Sequence, residues 1–127
     1  MNNGCIFCKI VKKEISGHIL DENKDVIVFM SLENHPLVVT KKHIQDIYAL
    51  DDKSGAEVMK EAIKISKAVK NALKCDGIYV TQANEPAGGQ DVFHYHMHIY
   101  PRWNDKRQWE SDKENIKLAA EKIISML

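Results

Sequence analysis

The sequence predicts an α+β domain with a mainly antiparallel sheet of about five strands, one long helix and a C-terminal helix. Two observations predict the sheet: short alternating or apolar runs recur along the chain, and clusters of turn-forming residues separate them. A third observation is a long central segment that keeps the period of an amphipathic helix. The 127 residues suffice for one core, so we predict a single domain over residues 1–127.

The first strands follow a pair of cysteines near the N-terminus, which we interpret as a turn at residues 5–8. The segment "HILDENKDVIVFMSL" has the pattern of a hairpin, with strands at residues 18–21 and 26–31. The polar residues 22–25 form its predicted turn. A third strand is predicted at residues 37–40, in "PLVVTKKH".

The long helix is predicted to begin at Asp51 or Asp52, since either carboxylate can cap a helix. It should run to about Lys74 and be ended by Gly77. Its apolar positions keep a helical period: Val58, Met59, Ala62, Ile63, Val69, Ala72 and Leu73.

Two more strands and a last helix complete the predicted fold. The strands are "GIYVTQA" at residues 77–83 and "FHYHMHIYPR" at residues 93–102, separated by the turn-rich "NEPAGGQD". Residues 111–114, "SDKE", have the form of a capping box. The helix that this box opens would run through Ile116, Ala119, Ala120, Ile123 and Leu127.

The composition narrows the classes of function. Lys plus Arg and Asp plus Glu both number 18, and this balance argues against a protein that coats duplex nucleic acid. No run approaches the length of a membrane span, and the N-terminal residues lack the pattern of a secretory signal, so the cytoplasm is the expected compartment. Three cysteines are too few for a disulfide framework. In a reducing compartment, Cys5-x-x-Cys8 indicates a metal or redox site.

Half of the six histidines lie within five residues, at His94, His96 and His98. Side chains alternate along a strand, so these three share one face, with neighbours roughly 7 Å apart. Three interpretations are open: a solvated polar face, a catalytic Zn²⁺ site, or a nucleophile whose neighbours bind and protonate a phosphorylated substrate. The alternate positions form an apolar face that a helix can cover: Phe93, Tyr95, Met97 and Ile99.

The residues before this strand favour the last interpretation. "GGQ", residues 88–90, is either an ordinary turn or a loop whose backbone N–H groups approach an anion. "GGQDVFHYHMHIYPR" resembles the signature of the histidine triad (HIT) family, in which three histidines alternate with apolar residues. "CIFCKIVKKEI" resembles the N-terminal segment of bacterial members, and "VVTKKHI" resembles their central strand. The resemblance covers about residues 5–103.

The resemblance implies a nucleotide hydrolase or transferase that acts on the α-phosphate. It implies that His96 is the nucleophile, that His98 and His94 flank it, and that His35 supports the site. Asn84 and Gln90 would contact phosphate beside the backbone of Gly89. The implied purine and ribose pocket comprises Ile6, Phe7, Ile10, Phe29 and Leu32.

The chain departs from the family pattern at several positions. Ser31 stands where the family has the Asp that holds the ribose hydroxyls, and the segment from Ser31 to His35 is about four residues short. Asn34 replaces a Gly, and Thr40 replaces a Pro. Asp91 stands where the phosphoramidase-type members have a Ser that donates toward the leaving group, and a carboxylate is an acceptor only.

The cysteine pair can be completed by two histidines. His43 and His94 would supply the other half of a Cys₂His₂ set with Cys5 and Cys8. Some bacterial HIT proteins have the same residues, with the first triad histidine bound to a structural zinc. The alternatives are a metal-free pair of small buried residues or a redox-active pair. The resemblance further implies a homodimer that uses the long helix and an exposed sheet edge.

Two rival functions remain at this stage. One is a zinc-dependent hydrolase that uses the histidine strand itself as metal ligands. The other is a non-catalytic nucleotide-binding partner protein that uses the same pocket.

Overall fold

The computed structural model describes residues 4–105, 109–110 and 112–127. In chain order its helices and strands are α1 (Ile6–Val11), β1 (Ile19–Glu22), β2 (Val26–Met30), β3 (Pro36–Thr40), α2 (Asp52–Leu73), β4 (Gly77–Thr81), β5 (His96–Arg102) and α3 (Lys113–Ile124). The five strands form one sheet in the order β1-β2-β3-β5-β4, and each neighbouring pair is antiparallel. The predicted class, with its long helix and C-terminal helix, is confirmed. None of the helices in these ranges has the length and apolar character to cross a membrane.

The sheet separates two apolar clusters. Helices α2 and α3 cover one face, where Val28, Val38 and Ile99 are fully buried against them. The short helix α1 covers the other face over β2 and β3, and this second cluster comprises Phe7, Ile10, Ile27, Phe29, Leu37 and Val39. Because successive strand residues alternate between the faces, each of the central strands contributes to both clusters.

Helix α2 begins as predicted and ends by a different device. The Asp51 side chain accepts a hydrogen bond from the backbone N–H of Ser54 at 2.8 Å, which caps the first turn. At the other end Lys74 adopts the left-handed conformation, with φ of 53°, and terminates the helix. The predicted terminator, Gly77, is instead the first residue of β4.

The buried face of α2 includes only some of the apolar positions that keep the helical period. Met59 and Ile63 are about half exposed, at 52% and 51%, whereas Ile65 and Ala68 are buried. An apolar stripe wider than the face that contacts the sheet cannot indicate by itself which edge faces solvent. The helical period of the apolar residues is confirmed, and Met59 and Ile63 lie at the exposed edge of that stripe.

The structure differs from the sequence prediction near both ends of the described residues. Asp112 caps α3 and accepts from the N–H of Asn115 at 3.0 Å, while the predicted cap at residue 111 lies outside the described residues. The helix was predicted to run through Leu127 but ends at Ile124, and Leu127 is 43% exposed. Near the N-terminus, the predicted turn is the first turn of α1, with Cys5 as its N-cap.

Strand β5 begins later than predicted, at His96. His94 precedes the strand, and the N–H of Tyr95 donates to the carbonyl of Ile44 at 2.6 Å, outside the regular pairing with β3. The three histidines therefore do not share one regular strand. His94 nevertheless lies on the side that α1 covers, because its ring packs against Phe7, as the ring of His96 does.

A candidate active site beside a candidate metal centre

The strand register places two of the histidines on the face that α1 covers. His96 is opposite Val39 and His98 is opposite Leu37, and both of these apolar residues belong to the α1 cluster. The ring centroids of His96 and His98 are 5.0 Å apart. The predicted alternation is confirmed for this pair, and the intervening Met97 is buried on the opposite face.

Cys5, Cys8, His43 and His94 converge so that their candidate ligand atoms all lie within 4.8 Å of one another. His94 Nδ1 is 3.3 Å from Cys5 Sγ and 3.5 Å from Cys8 Sγ, and His43 Nδ1 is 3.2 Å from Cys8 Sγ. His94 Nε2 lies 2.6 Å from the carbonyl oxygen of Thr40. Because a carbonyl only accepts, Nε2 carries the proton and the lone pair of Nδ1 faces the thiols.

This arrangement fits a tetrahedral zinc ion. Zinc–sulfur bonds of about 2.3 Å and zinc–nitrogen bonds of about 2.0–2.1 Å place neighbouring sulfur and nitrogen ligands about 3.6 Å apart. The three sulfur–nitrogen distances are close to that value. Burial lowers the pKa of His94, which keeps the imidazole neutral as a ligand must be. Among the residues that the structure describes, no other group of three or more histidine, cysteine or acidic side chains converges in this way.

His96 is oriented by a hydrogen bond at one ring nitrogen. Its Nδ1 lies 2.7 Å from the carbonyl oxygen of His94, so Nδ1 carries the proton and donates. The lone pair is then on Nε2, whose nearest carboxylate oxygen is Asp91 Oδ1 at 3.8 Å. The ring of Phe7 packs edge-on against the imidazole with centroids 4.9 Å apart. An imidazole in this form can attack an electrophile through Nε2.

His98 is paired with a buried histidine from the neighbouring strand region. His35 Nε2 lies 2.9 Å from His98 Nδ1, and the Tyr100 hydroxyl oxygen lies 3.3 Å from the same nitrogen. Burial, followed by the charge of His98, lowers the pKa of His35 to about 3, so His35 is neutral at physiological pH. Burial also lowers the pKa of His98, and proximity to His96 adds to this shift.

The hydrogen bonds of Ser31 favour one placement of the protons in this pair. Its Oγ accepts from the backbone N–H groups of Glu33 and His35, at 3.2 and 3.3 Å. The hydroxyl proton is then available for His35 Nδ1, 3.0 Å away. His35 therefore carries its proton on Nε2 and donates it to His98 Nδ1. It follows that His98 carries its own proton on Nε2, the nitrogen that remains for a substrate.

The glycine-containing loop is a tight turn in this structure. The N–H groups of Gly88, Gly89 and Gln90 all donate to carbonyl oxygens within residues 85–90, and Gly89 has a φ of 99°. Gln90 is buried, with its Nε2 donating to Gln45 O at 2.7 Å and its Oε1 accepting from Glu85 N at 2.7 Å. The Gln90 side chain therefore braces the loop.

Asn84, the other residue implied to contact phosphate, is also hydrogen-bonded within the protein. Its Oδ1 accepts from the N–H of Ile47 and from Gln82 Nε2, both at 2.8 Å. Its Nδ2 donates to Gln82 Oε1 at 3.0 Å. These bonds tie the segment after β4 to the segment before α2 and position the loop beside the histidines.

Most of the residues implied to bind the nucleoside lie on α1 or in the cluster that α1 covers. Phe7, Ile10 and Phe29 are buried at 7%, 9% and 2% exposure, so only their rims can contact a ligand. Leu32 is 88% exposed on the turn that carries His35. A cavity of about 470 Å³ opens beside the Cys/His cluster and is lined by Gly4, Cys5, Ile6, His43, Gln45, Asp91, Val92 and Phe93.

The sequence pattern did not indicate the bond from Ser31 to His35 or the contact of Tyr100 with His98. Ser31 was considered only as a replacement for a ribose-binding Asp, and its bond to His35 depends on a turn that the chain pattern does not reveal. Tyr100 could have been found, because strand alternation places it on the same face as His98.

The sequence model of the HIT domain matches residues 12–105. The adenosine 5′-monophosphoramidase HNT1 of Saccharomyces cerevisiae is 33% identical over 110 residues, which cover 84% of this chain and 67% of the yeast protein. A solved structure of a Hit-like protein from Bartonella henselae has a TM-score of 0.90 and 37% identity, covering 99% of this chain and 98% of that one. A zinc-bound histidine triad family protein from Mycobacterium smegmatis has a TM-score of 0.82 and 25% identity, covering 95% and 94%.

Proposed function

This chain belongs to the histidine triad family, and on that premise we propose that it cleaves purine nucleotide derivatives at the α-phosphate. The substrate class comprises nucleoside phosphoramidates, acyl adenylates and dinucleoside polyphosphates, and the product is a nucleoside monophosphate. The observation that carries the proposal is the bond from His96 Nδ1 to the carbonyl of His94, which leaves the lone pair of Nε2 free. The likeness to a yeast protein named as an adenosine 5′-monophosphoramidase supports the same chemistry.

The proposed reaction is a double displacement. His96 Nε2 attacks the α-phosphorus, the bond to the leaving group breaks, and His98 Nε2 gives its proton to the departing atom. Water then attacks the phosphorus of the nucleotidyl-His96 intermediate and passes a proton to His98. The nucleoside monophosphate leaves, and both histidines return to their starting forms.

The substrate contacts in this proposal follow the family resemblance. Phe7, Ile10, Phe29 and Leu32 would hold the purine and ribose at the rim of α1. Asn84, Gly89 and Gln90 would place the loop against the phosphate, and the positive φ of Gly89 allows a close backbone approach. His35 would act through His98, because it touches that ring and is buried away from solvent.

A structural Zn²⁺ bound by Cys5, Cys8, His43 and His94 is part of the proposal. When bound, the ion would tie α1 to the segment after β3 and to the start of β5. The geometry favours this over a catalytic zinc on the triad, because His94 faces the thiols while the Nδ1 of His96 faces a carbonyl. A reducing cytoplasm is the compartment in which such thiols remain available.

The stereochemical course at phosphorus tests the mechanism. Attack by His96 and then by water inverts the phosphorus twice, so a chiral phosphorothioate hydrolysed in labelled water should show overall retention. Direct attack by water or hydroxide would invert it once, and net inversion would exclude the nucleotidyl-histidine route.

Variants separate catalysis from binding. His96→Ala should abolish single-turnover release of nucleoside monophosphate and keep nucleotide binding, because the imidazole is needed for bond formation. A wild-type protein that binds nucleotide and releases no monophosphate would support the non-catalytic alternative.

A further inference from the structure

Beyond His98, the site face of the sheet continues with two tyrosines and an arginine. Tyr100 and Arg102 follow His98 at alternate positions of β5, and Tyr79 is opposite Tyr100 on β4. The His98 and Tyr100 rings are nearly parallel, with centroids 5.4 Å apart and an interplanar angle of 9°. Tyr79 and Tyr100 are stacked at 5.6 Å. We call Tyr79, Tyr100 and Arg102 the aromatic platform.

The guanidinium group is held over these rings and remains exposed. Arg102 Cζ lies 4.8 Å from the centroid of Tyr100 and 5.4 Å from that of Tyr79. Among the described residues, no carboxylate lies within salt-bridge distance of Arg102. Tyr79 is 50% exposed. The platform thus presents a planar aromatic surface together with a positive charge that is available to an anion.

The platform lies on the side of the histidines that is opposite to α1. In the strand order β2-β3-β5-β4, α1 covers β2 and β3, His96 and His98 lie on β5, and Tyr79 lies on the edge strand β4. If the nucleoside contacts α1, the other substituent of the α-phosphate extends toward β4. The His98 ring, which would protonate that substituent, is in contact with Tyr100.

From this geometry we infer that the aromatic platform is a binding subsite for the leaving group. The inference rests on the proposed function and specifies its substrate class. The preferred leaving group carries a planar ring that stacks on Tyr79 and an anionic group that pairs with Arg102. An amine whose side chain carries an aromatic ring and a carboxylate has both features, whereas a simple alkylamine has neither.

Four adenosine 5′-phosphoramidates test the contributions of the ring and the carboxylate separately. Their leaving groups are tryptophan, with ring and carboxylate; tryptamine, with the ring; alanine, with the carboxylate; and ethylamine, with neither. In the wild type, kcat/KM should fall about tenfold when either feature is removed, since stacking and a charge-assisted hydrogen bond each contribute on that scale. The comparison within one protein sample does not depend on the fraction of active enzyme.

Two variants assign the features to residues. Arg102→Gln should reduce the tryptophan-to-tryptamine ratio of kcat/KM to near one. Tyr79→Leu should reduce the tryptophan-to-alanine ratio. Lys117→Gln is the matched control, because it removes one positive charge from an exposed position on α3. This control should leave both ratios as they are in the wild type.

The possible outcomes distinguish a failure of the proposed subsite from a failure of the proposed reaction. Wild-type ratios near one, or equal losses on all four substrates in Arg102→Gln, would overturn the subsite while hydrolysis itself stands. If no substrate is cleaved, calorimetric binding of the methylene-bridged tryptophan and tryptamine analogues decides the question. An Arg102-dependent preference for the carboxylate analogue would then support the subsite without the hydrolase, and equal binding would overturn it.

Discussion

At the scale of single residues, one side-chain type has three chemical environments within five positions. His94 Nε2 donates to a backbone carbonyl and turns Nδ1 toward two thiols. His96 Nδ1 donates to the carbonyl of His94, and His98 Nδ1 accepts from His35. In each ring the bonded nitrogen determines the state of the other nitrogen. A ligand, a nucleophile and an acid can therefore be built from the same residue.

Ser31 provides a test of this tautomer assignment. Ser31→Ala removes the hydroxyl that donates to His35 Nδ1, so His98 is no longer held with its proton on Nε2. We expect kcat to fall about tenfold for an alkyl phosphoramidate, whose leaving nitrogen needs a proton. An adenosine 5′-(4-nitrophenyl) phosphate should be affected much less, because its leaving group departs without protonation. Steady-state kinetics on both substrates makes the measurement.

The control is Ser31→Thr, which keeps the hydroxyl and should restore turnover of the phosphoramidate. Equal losses of kcat on the two substrates in Ser31→Ala would contradict the tautomer assignment. Such a result would indicate that Ser31 only stabilises the turn through its bonds to Glu33 and His35.

The sequence predicted some of these residues better than others, for a physical reason. Alternation along a strand placed His96 and His98 on one face, because that period is a property of the backbone. The bond between Ser31 and His35 could not be predicted, since it depends on a four-residue turn whose geometry packing decides. His94 was assigned to a strand that begins two residues later. Its proposed role as a ligand came from the Cys₂His₂ set that it completes and from the family resemblance.

At the scale of secondary-structure elements, the Cys/His cluster joins α1 to the start of β5. We expect one zinc ion per chain in protein purified without chelator, and a melting temperature about 5 °C or more lower after chelation. Cys8→Ala should abolish zinc binding, since its thiol lies 3.2 Å from His43 Nδ1. Metal analysis and calorimetry make these measurements.

Cys75→Ala is the matched control for the loss of a thiol, because Cys75 is buried outside the cluster. It should keep one zinc per chain. Wild-type protein without zinc would contradict the metal site. Zinc that is retained in Cys8→Ala and lost in His98→Ala would instead place the metal on the triad.

Helix α2 contains a buried carboxyl group that should make stability depend on pH. Burial, followed by the hydrogen bond and charge of Asp21, raises the pKa of Glu61 to about 7. The folded protein then holds a proton that the unfolded chain loses near pH 4.5. The free energy of unfolding should decrease as pH rises from about 4.5 to about 7, by at most about 1.4 kcal/mol per pH unit from this group.

Glu61→Gln isolates this contribution because it keeps the shape and removes the titration. The variant should gain stability relative to the wild type as pH rises from 5 to 8, measured by guanidinium unfolding at each pH. Groups that do not contact Glu61 are common to both proteins, so their effects cancel in the difference. A difference that is constant with pH would contradict the raised pKa of Glu61.

At the scale of the whole molecule, apolar side chains are exposed on the side of the sheet that α2 and α3 cover. Met59 and Ile63 are one turn apart on α2 and about half exposed, and Val80 on the edge strand β4 is 45% exposed. Val80 is opposite Ile99, which places it on the same side of the sheet as α2. An open edge strand beside apolar side chains is suited to pairing with a second copy of the chain.

We therefore predict a homodimer that forms through α2 and β4. Ile63→Glu places a charge in this surface and should convert the dimer to a monomer at micromolar concentration, measured by sedimentation equilibrium. Ile124→Glu is the matched control: Ile124 is 46% exposed on α3, away from this surface, and its variant should remain dimeric. A wild-type monomer, or a dimer that Ile63→Glu leaves intact, would contradict the prediction. Pairing along β4 would use its main-chain groups, so the Tyr79 ring would stay on the site face and the leaving-group subsite could be tested in either assembly state.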